Sequence, residues 1–294
     1  MTPTNATNKP FARLATAAAL AVFLTLGSRA ALAEKAGKSN VTVKGSDTLV
    51  QLSAHWAEEF MKKYPDASVA VTGGGSGIGI SALLNGTTDI CNASRDIKPE
   101  EKKKAAENGI TPIETNVALD GIAIVVNKDN PLTEISLEQL KQIFTGEATE
   151  WDQFGGPKGK IIVLTRETSS GTYVFFQELV LGKKDYATSV RMMPTTSAII
   201  EAVATDKTAI GYVGLGYAAG AKDRVKVLKV RKDANTPAIE ATEETVRSSQ
   251  YPIARPLHCY TNGKPNGAAG KFIEFCLSPE GQTIVREEGF VPLK

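Results

Sequence analysis

The stretch RETSSGTYVFFQEL, residues 166–179, decides how this chain is read. It follows a strand-like run, IIVLT at 161–165, and its Ser169-Ser170-Gly171-Thr172 turn opens an apolar-rich helical pattern. Glycine lets backbone approach a ligand, hydroxyls donate hydrogen bonds, and the first free amides of a helix carry about half a positive charge. The combination predicts a seat for a small anion. Arg166, four residues before Ser170, adds a full charge and a bidentate fork. Standing alone, the segment would read first as a Ser/Thr helix cap beside a surface arginine.

It does not stand alone, because strand, hydroxyl turn and helix recur upstream. VTVKGSDTL gives a strand around Val41 and Val43, a turn at Gly45-Ser46-Asp47-Thr48, and then Leu49, Leu52, Trp56 and Phe60 at helical spacing. SVAVTGGGSGIGISALLNG repeats the unit, with a strand at 68–72, glycines from 73 to 79 and a helix stopped by Asn85-Gly86. The glycine run matches neither the dinucleotide nor the P-loop pattern and no lysine follows, so backbone amides with Ser76 as donor fit better than a nucleotide cofactor. A buried strand at 89–93 then ends in Ser94-Arg95-Asp96. At the carboxyl end of an interior strand Arg95 is a candidate anion ligand, or else an ordinary partner for an acidic neighbour.

The remaining pattern is α/β. Apolar strands are expected at 122–126, 209–213, 225–230 and 255–260, and helices after Ser136, at 197–204, at 268–277 and after Ser278-Pro279-Glu280. Lys98, Lys102, Lys103 and Lys104 among Glu100 and Glu101 read as a solvated helix face. His55 and His258 lie in separate settings and read as packed or surface residues. Neither a metal-ligand cluster nor a nucleophile elbow is visible, which weighs against a secreted phosphatase.

Residues 1–33 carry Lys9 and Arg13, an apolar run from 14 to 26, and Ala31-Leu32-Ala33 before Glu34. This is the pattern of a cleavable secretory signal peptide, too short in its apolar part to span a bilayer. Its removal takes Lys9, Arg13 and Arg29 from the 34 basic residues and none of the 32 acidic ones, leaving 31 against 32. A near-neutral chain without a basic block gives no footing to nucleic acid or an anionic membrane. Cys91, Cys259 and Cys276 are odd in number and sit in apolar patterns, so buried free thiols are expected, with a Cys259–Cys276 bridge the alternative.

Nine collinear motifs carry a resemblance: GSDTL (45–49), GGGSGIG (73–79), ASRDI (93–97), LDGIAIVVN (119–127), IFTGEATEW (143–151), TRETSSGTYVFF (165–176), AIGYVGLGYA (209–218), YPIARPLHCYT (251–261) and LSPEGQ (277–282). Together they resemble the periplasmic phosphate-binding proteins of bacterial phosphate ABC transporters, over nearly all of the chain after residue 33. The resemblance implies a type II periplasmic-binding-protein fold, two α/β lobes joined by hinge strands. Lobe one would take residues 38–120 and 255–294, and lobe two residues 121–254. It further implies a monomeric, non-enzymatic receptor without cofactor, which would bind inorganic phosphate in the periplasm and dock on the transporter's membrane permease subunits. A receptor of the same fold for sulfate or molybdate is the nearest alternative.

By the same resemblance the phosphate contacts would be Thr48, Leu49 and Ser76 from one lobe and Arg166, Ser170, Gly171 and Thr172 from the other. Many relatives carry an aspartate where this chain has Arg95, and there it accepts the proton of hydrogen phosphate. Here Ser94-Arg95 replaces it, so two arginines would face the anion. A protonated oxyanion still needs an acceptor if sulfate is to be rejected. Asp120 is the candidate, with Asp47 and Asp96 as alternatives.

Overall fold

Alternating and continuous apolar runs fold here into two sheets that share one strand. The computed structural model describes residues 39–294, and the signal peptide expected at 1–33 lies outside them. The first part runs β1 (Ser39–Gly45), a 3₁₀ turn (Asp47–Leu49), α1 (Val50–Lys63), β2 (Ala67–Thr72), α2 (Ser76–Leu84), β3 (Ile90–Ala93) and α3 (Pro99–Glu107). Next come the long β4 (Pro112–Asn127), β5 (Glu134–Ser136), α4 (Leu137–Thr145), β6 (Ile162–Arg166) and α5 (Gly171–Leu179). The chain continues through β7 (Arg191–Met193), α6 (Thr196–Thr205), β8 (Ala209–Gly214), α7 (Leu215–Ala219), β9 (Val225–Arg231), β10 (Ala238–Ile239) and α8 (Glu243–Arg247). It ends with β11 (Ala254–Asn262), α9 (Gly267–Leu277) and α10 (Pro279–Glu287).

In the first sheet β2, β1 and β3 are parallel, β11 lies antiparallel to β3, and residues 112–121 of β4 pair with β11. From Ile122 onward β4 changes neighbours and lies between β8 and β9, with β6 parallel to β8 and β7 parallel to β6. The apolar pattern predicts a strand beginning at Ile122, whereas β4 begins ten residues earlier, at Pro112. Glu114, Thr115 and Asn116 interrupt the apolar signal there, and pairing with β11 holds the segment extended instead.

Each sheet is covered on both faces. In the first, Val41 and Val43 meet Leu52, Trp56 and Phe60 of α1 and Phe272 and Phe275 of α9 in one core cluster. Ile80, Leu83 and Leu84 of α2 pack with Cys91, Ala93 and Ala105 in another. In the second sheet the alternation of β4 sends Ala123 and Val125 into a cluster with Ile199 and Val203 of α6. Ile122, Ile124 and Val126 join Leu140, Phe144 and Phe176 of α4 and α5. That is why the run IAIVV shows no polar alternation, since both faces of a central strand are buried.

Helix ends follow local chemistry. Ser136 Oγ accepts from Gln139 N at 3.1 Å while Gln139 Oε1 accepts from Ser136 N at 2.8 Å, the reciprocal cap expected for α4. Cys91, Cys259 and Cys276 are free and buried, without the alternative bridge. Among the described residues no helix is long and apolar enough to cross a membrane.

Phe176 shows how the second core is fixed. It is fully buried, stacks on Tyr212 at 4.2 Å between ring centroids and lies 4.8 Å from Phe144. Phe176→Ala is expected to cost about 3–5 kcal/mol through lost burial and the cavity left behind, read in urea unfolding as a lower midpoint with unchanged slope.

Candidate functional site

The hydroxyl-bearing turns after β1, β2, β3 and β6 converge. Thr48 Oγ1 lies 2.8 Å from Thr172 Oγ1, Ser46 Oγ donates to Ser94 Oγ at 2.9 Å, and Ser76 Oγ is 3.3 Å from Ser94 Oγ. Residues far apart in sequence thus form one buried hydroxyl cluster, with α2 and α5 both starting at it. The approach requires glycine at 171, where an added Cβ would stand 2.2 Å from Ser76 Oγ and 2.7 Å from Ser94 Oγ. Main-chain contacts close the same seam: Gly77 N donates to Ser169 O at 2.9 Å, and Ser169 Oγ donates to Gly74 O at 3.0 Å.

At the start of α5, Ser170 Oγ accepts from Tyr173 N, which caps one of the first free amides. The amides of Gly171 and Thr172 have no partner within the helix, as for any first turn. They point the positive end of α5 at the hydroxyl cluster.

Two arginine–aspartate pairs flank it. Arg166 is buried and donates to Met193 O, Pro194 O and Thr196 Oγ1, with Nη1 3.0 Å from Asp47 Oδ2. Asp47 Oδ2 in turn accepts from the amide and hydroxyl of Thr196, each at 2.8 Å. Three of the guanidinium's five N–H groups donate hydrogen bonds, and Asp47 is matched to it as an ion pair. Arg255, at the start of β11, donates from Nε and Nη2 to Asp120 Oδ2 at 3.2 and 2.9 Å, from Nη1 to Ser94 O, and from Nη2 to Thr172 Oγ1 at 3.0 Å. The Arg255 and Asp120 side chains are 1% and 0% exposed. Burial pushes the Asp120 carboxyl up and the Arg255 guanidinium down, each opposed by the charge of the other.

The chain as a whole has recognisable relatives. Residues 30–280 match the PBP superfamily domain. The phosphate-binding protein PstS of Staphylococcus epidermidis is 35% identical over 260 residues, covering 86% of this chain and 79% of the relative. The chain belongs to the PstS family of phosphate-binding proteins. A phosphate ABC transporter substrate-binding protein from Clostridium perfringens, solved with bound phosphate, superposes on this PstS-family chain with a TM-score of 0.78 at 34% identity, covering 87% of this chain and all of that one. An ABC-type phosphate transport receptor from Vibrio cholerae gives 0.69 at 30% identity, covering 85% and 99%. The architecture of two helix-covered sheets sharing β4 is accordingly the type II periplasmic-binding-protein fold.

Within this PstS-family site, Thr48, Ser76, Ser94, Gly171 and Thr172 meet directly, and Ser170 caps the helix that brings the last two there. Leu49 is buried, and its amide donates to Ser46 O at 3.2 Å within its own turn. Arg95 does not enter the hydroxyl cluster with its charged fork. Its Nη1 and Nη2 grip Glu101 at 2.8 and 2.7 Å, and Nη1 also reaches Asp96 O. Asp120 stands beside the cluster, but its oxygens accept from Arg255 and from Leu215 N at 2.9 Å, so it orients an arginine instead of facing the hydroxyls. Arg255 is the residue that sequence reading passes over, because IARPLHCY looks like an ordinary strand.

The Arg95–Glu101 fork also explains a helix start, since Glu101 Oε2 accepts from Lys98 N at 2.8 Å. Partial burial of Glu101 raises its pKa, but the bonds from Arg95 and Lys98 outweigh this and hold it below the ordinary value. A depressed carboxylate stabilises the fold above its unfolded pKa of about 4.3 and ceases to do so as pH falls through its folded value. Glu101→Gln is therefore expected to lower unfolding free energy by about 2–3 kcal/mol at pH 7, and the difference from the parent should shrink below pH 4 in urea titrations.

Proposed function

We propose that this protein is a receptor for inorganic phosphate outside the cytoplasmic membrane, which hands its ligand to the permease subunits of a phosphate ABC transporter. The carrying observation is the convergence of Thr48, Ser76, Ser94 and Thr172 with the first amides of α5, flanked by paired arginines. Such a site offers many neutral donors to a desolvated anion, which suits an oxyanion better than a bare countercharge would. The family membership, and the names borne by the relatives from Staphylococcus and Vibrio, support phosphate as the ligand. In this reading Thr48, Ser76, Ser94, Arg166, Ser170, Gly171 and Thr172 contact phosphate, Arg255 stands among them, and Arg95 acts from behind through its fork to Glu101.

Residues 38–120 with 255–294 would form one lobe and residues 121–254 the other, the chain crossing near Gly121 and Ala254. Ligand touching both lobes favours the closed form by its differential affinity. The receptor would act as a monomer. A hydrolase is the weaker reading. His55 bonds Glu288 and His258 bonds Asn116, and among the described residues neither makes a hydrogen bond to a hydroxyl of the cluster.

Selectivity against sulfate then rests on hydroxyls whose own protons are committed elsewhere, as Ser46 Oγ donates to Ser94 Oγ, because a free hydroxyl can turn and donate to sulfate and because Asp47 and Asp120 are both engaged by arginines. Calorimetry with phosphate and sulfate tests the assignment. Micromolar or tighter binding of phosphate, worth about 8 kcal/mol or more, is expected; tighter binding of sulfate would refute it. Gly171→Ala should cost about 1–3 kcal/mol of stability through overpacking and weaken phosphate binding of the folded protein about tenfold or more, because its methyl group displaces Ser76 and Ser94. Asp120→Asn should weaken phosphate and sulfate alike by loosening Arg255. A selective loss of discrimination would instead make Asp120 the proton acceptor.

A further inference from the structure

One cluster outside the cleft is not accounted for by anion binding. His258 on β11 is buried, and its Nδ1 lies 2.8 Å from Oδ1 of Asn116, its cross-strand neighbour on β4. A carbonyl oxygen only accepts, so this contact places the proton on Nδ1 and leaves the lone pair of the neutral ring on Nε2. Nε2 is buried without a hydrogen-bond partner, yet Asp96 Oδ1 stands 3.2 Å from it. A lone pair facing a carboxylate at that distance is repulsive, and either a second ring proton or a metal ion between the two relieves it. Two donors on one tetrahedral zinc ion stand about 3.3 Å apart, given bonds of about 2.0–2.2 Å.

A third donor is at hand. Glu114 Oε1 lies 3.4 Å from His258 Nδ1, on the ring edge that faces Asn116, and its side chain, 44% exposed, must turn toward Nε2 to share an ion with Asp96; the Tyr260 hydroxyl donates to its other oxygen at 2.6 Å. One ligand atom each from Asp96, Glu114 and His258 falls within 4.8 Å of the other two. Asn116 and Tyr260 thereby supply the outer hydrogen bonds that orient metal ligands. The β4–β11 register shifts between Leu257 and His258, a bulge of the kind that re-aims a side chain. Nearby Arg95 and Arg255 are each offset by their own carboxylates, Glu101 and Asp120. Asp96 is 84% exposed at its side chain, which gives an ion access from solvent.

We propose that Asp96, Glu114 and His258 bind a divalent metal of borderline softness, with zinc the best match and water completing the shell. One imidazole nitrogen and two carboxylate oxygens suit zinc better than magnesium or calcium, which favour oxygen ligands alone. The ion would clip the segment after Ser94 and Arg95 onto the β4–β11 pair, stiffening one wall of the cleft.

Titration of the untagged protein with zinc alone, in phosphate-free buffer, tests this. About one equivalent should bind, a large excess of magnesium should not displace it, and His258→Ala and Asp96→Asn should each weaken it by about 10- to 100-fold. Absence of binding, displacement by magnesium, or affinity unchanged in Asp96→Asn would overturn the site. The exposed Asp96 side chain makes that variant decisive even if His258→Ala does not fold.

Discussion

A guanidinium and a carboxylate with almost no solvent around them, Arg255 and Asp120, set the terms for the rest of the molecule. Neither can stay ionised in so dry a place without the other, and removing one would leave an uncompensated buried charge. The remaining donors of Arg255 must also be met, and they are met by the Ser94 carbonyl and the Thr172 hydroxyl. The pair therefore dictates which turns lie beside the point where β4 changes sheets. The Arg255 guanidinium also lies over the Phe175 ring at 5.2 Å, so α5 covers the pair while its first turn contacts it.

The arginines near the cleft follow one rule. Arg166 is matched by Asp47, Arg255 by Asp120 and Arg95 by Glu101. With each charge offset locally, the cleft's attraction for an anion comes from hydroxyls, amides and the remaining N–H groups of Arg166. Short neutral dipoles lose strength quickly with distance and must touch the ligand to act, so geometry counts for more here than long-range attraction.

The units that build the cleft were legible in sequence because each is local. Strand, hydroxyl turn and helix occupy fewer than thirty residues, and the turns at Thr48, Ser76 and Ser170 carry their signal in adjacent residues. What could not be read required pairing across the chain. The first ten residues of β4 hide behind Glu114, Thr115 and Asn116, and only β11 makes them a strand. Arg255 lies 135 residues from Asp120 and 83 from Thr172. Glu101 reads in sequence with its lysine neighbours as a solvated face, and only the fold reveals the fork it makes with Arg95. Likewise His258, Glu114 and Asp96 sit in three segments without any ligand spacing.

The main-chain contacts between Gly77 and Ser169, and between Ser169 and Gly74, engage no ligand group. In the proposed two-lobe reading, each net hydrogen bond of about 1 kcal/mol multiplies the closed population roughly fivefold, and a binding-competent population raises apparent affinity in proportion. The same contacts lengthen the residence time of whatever is enclosed, because they must break before it leaves. In the proposed reading Ser169 and Gly77 act as a timer as much as a latch, and a carrier that loads well on its own then has to be opened by whatever receives its cargo.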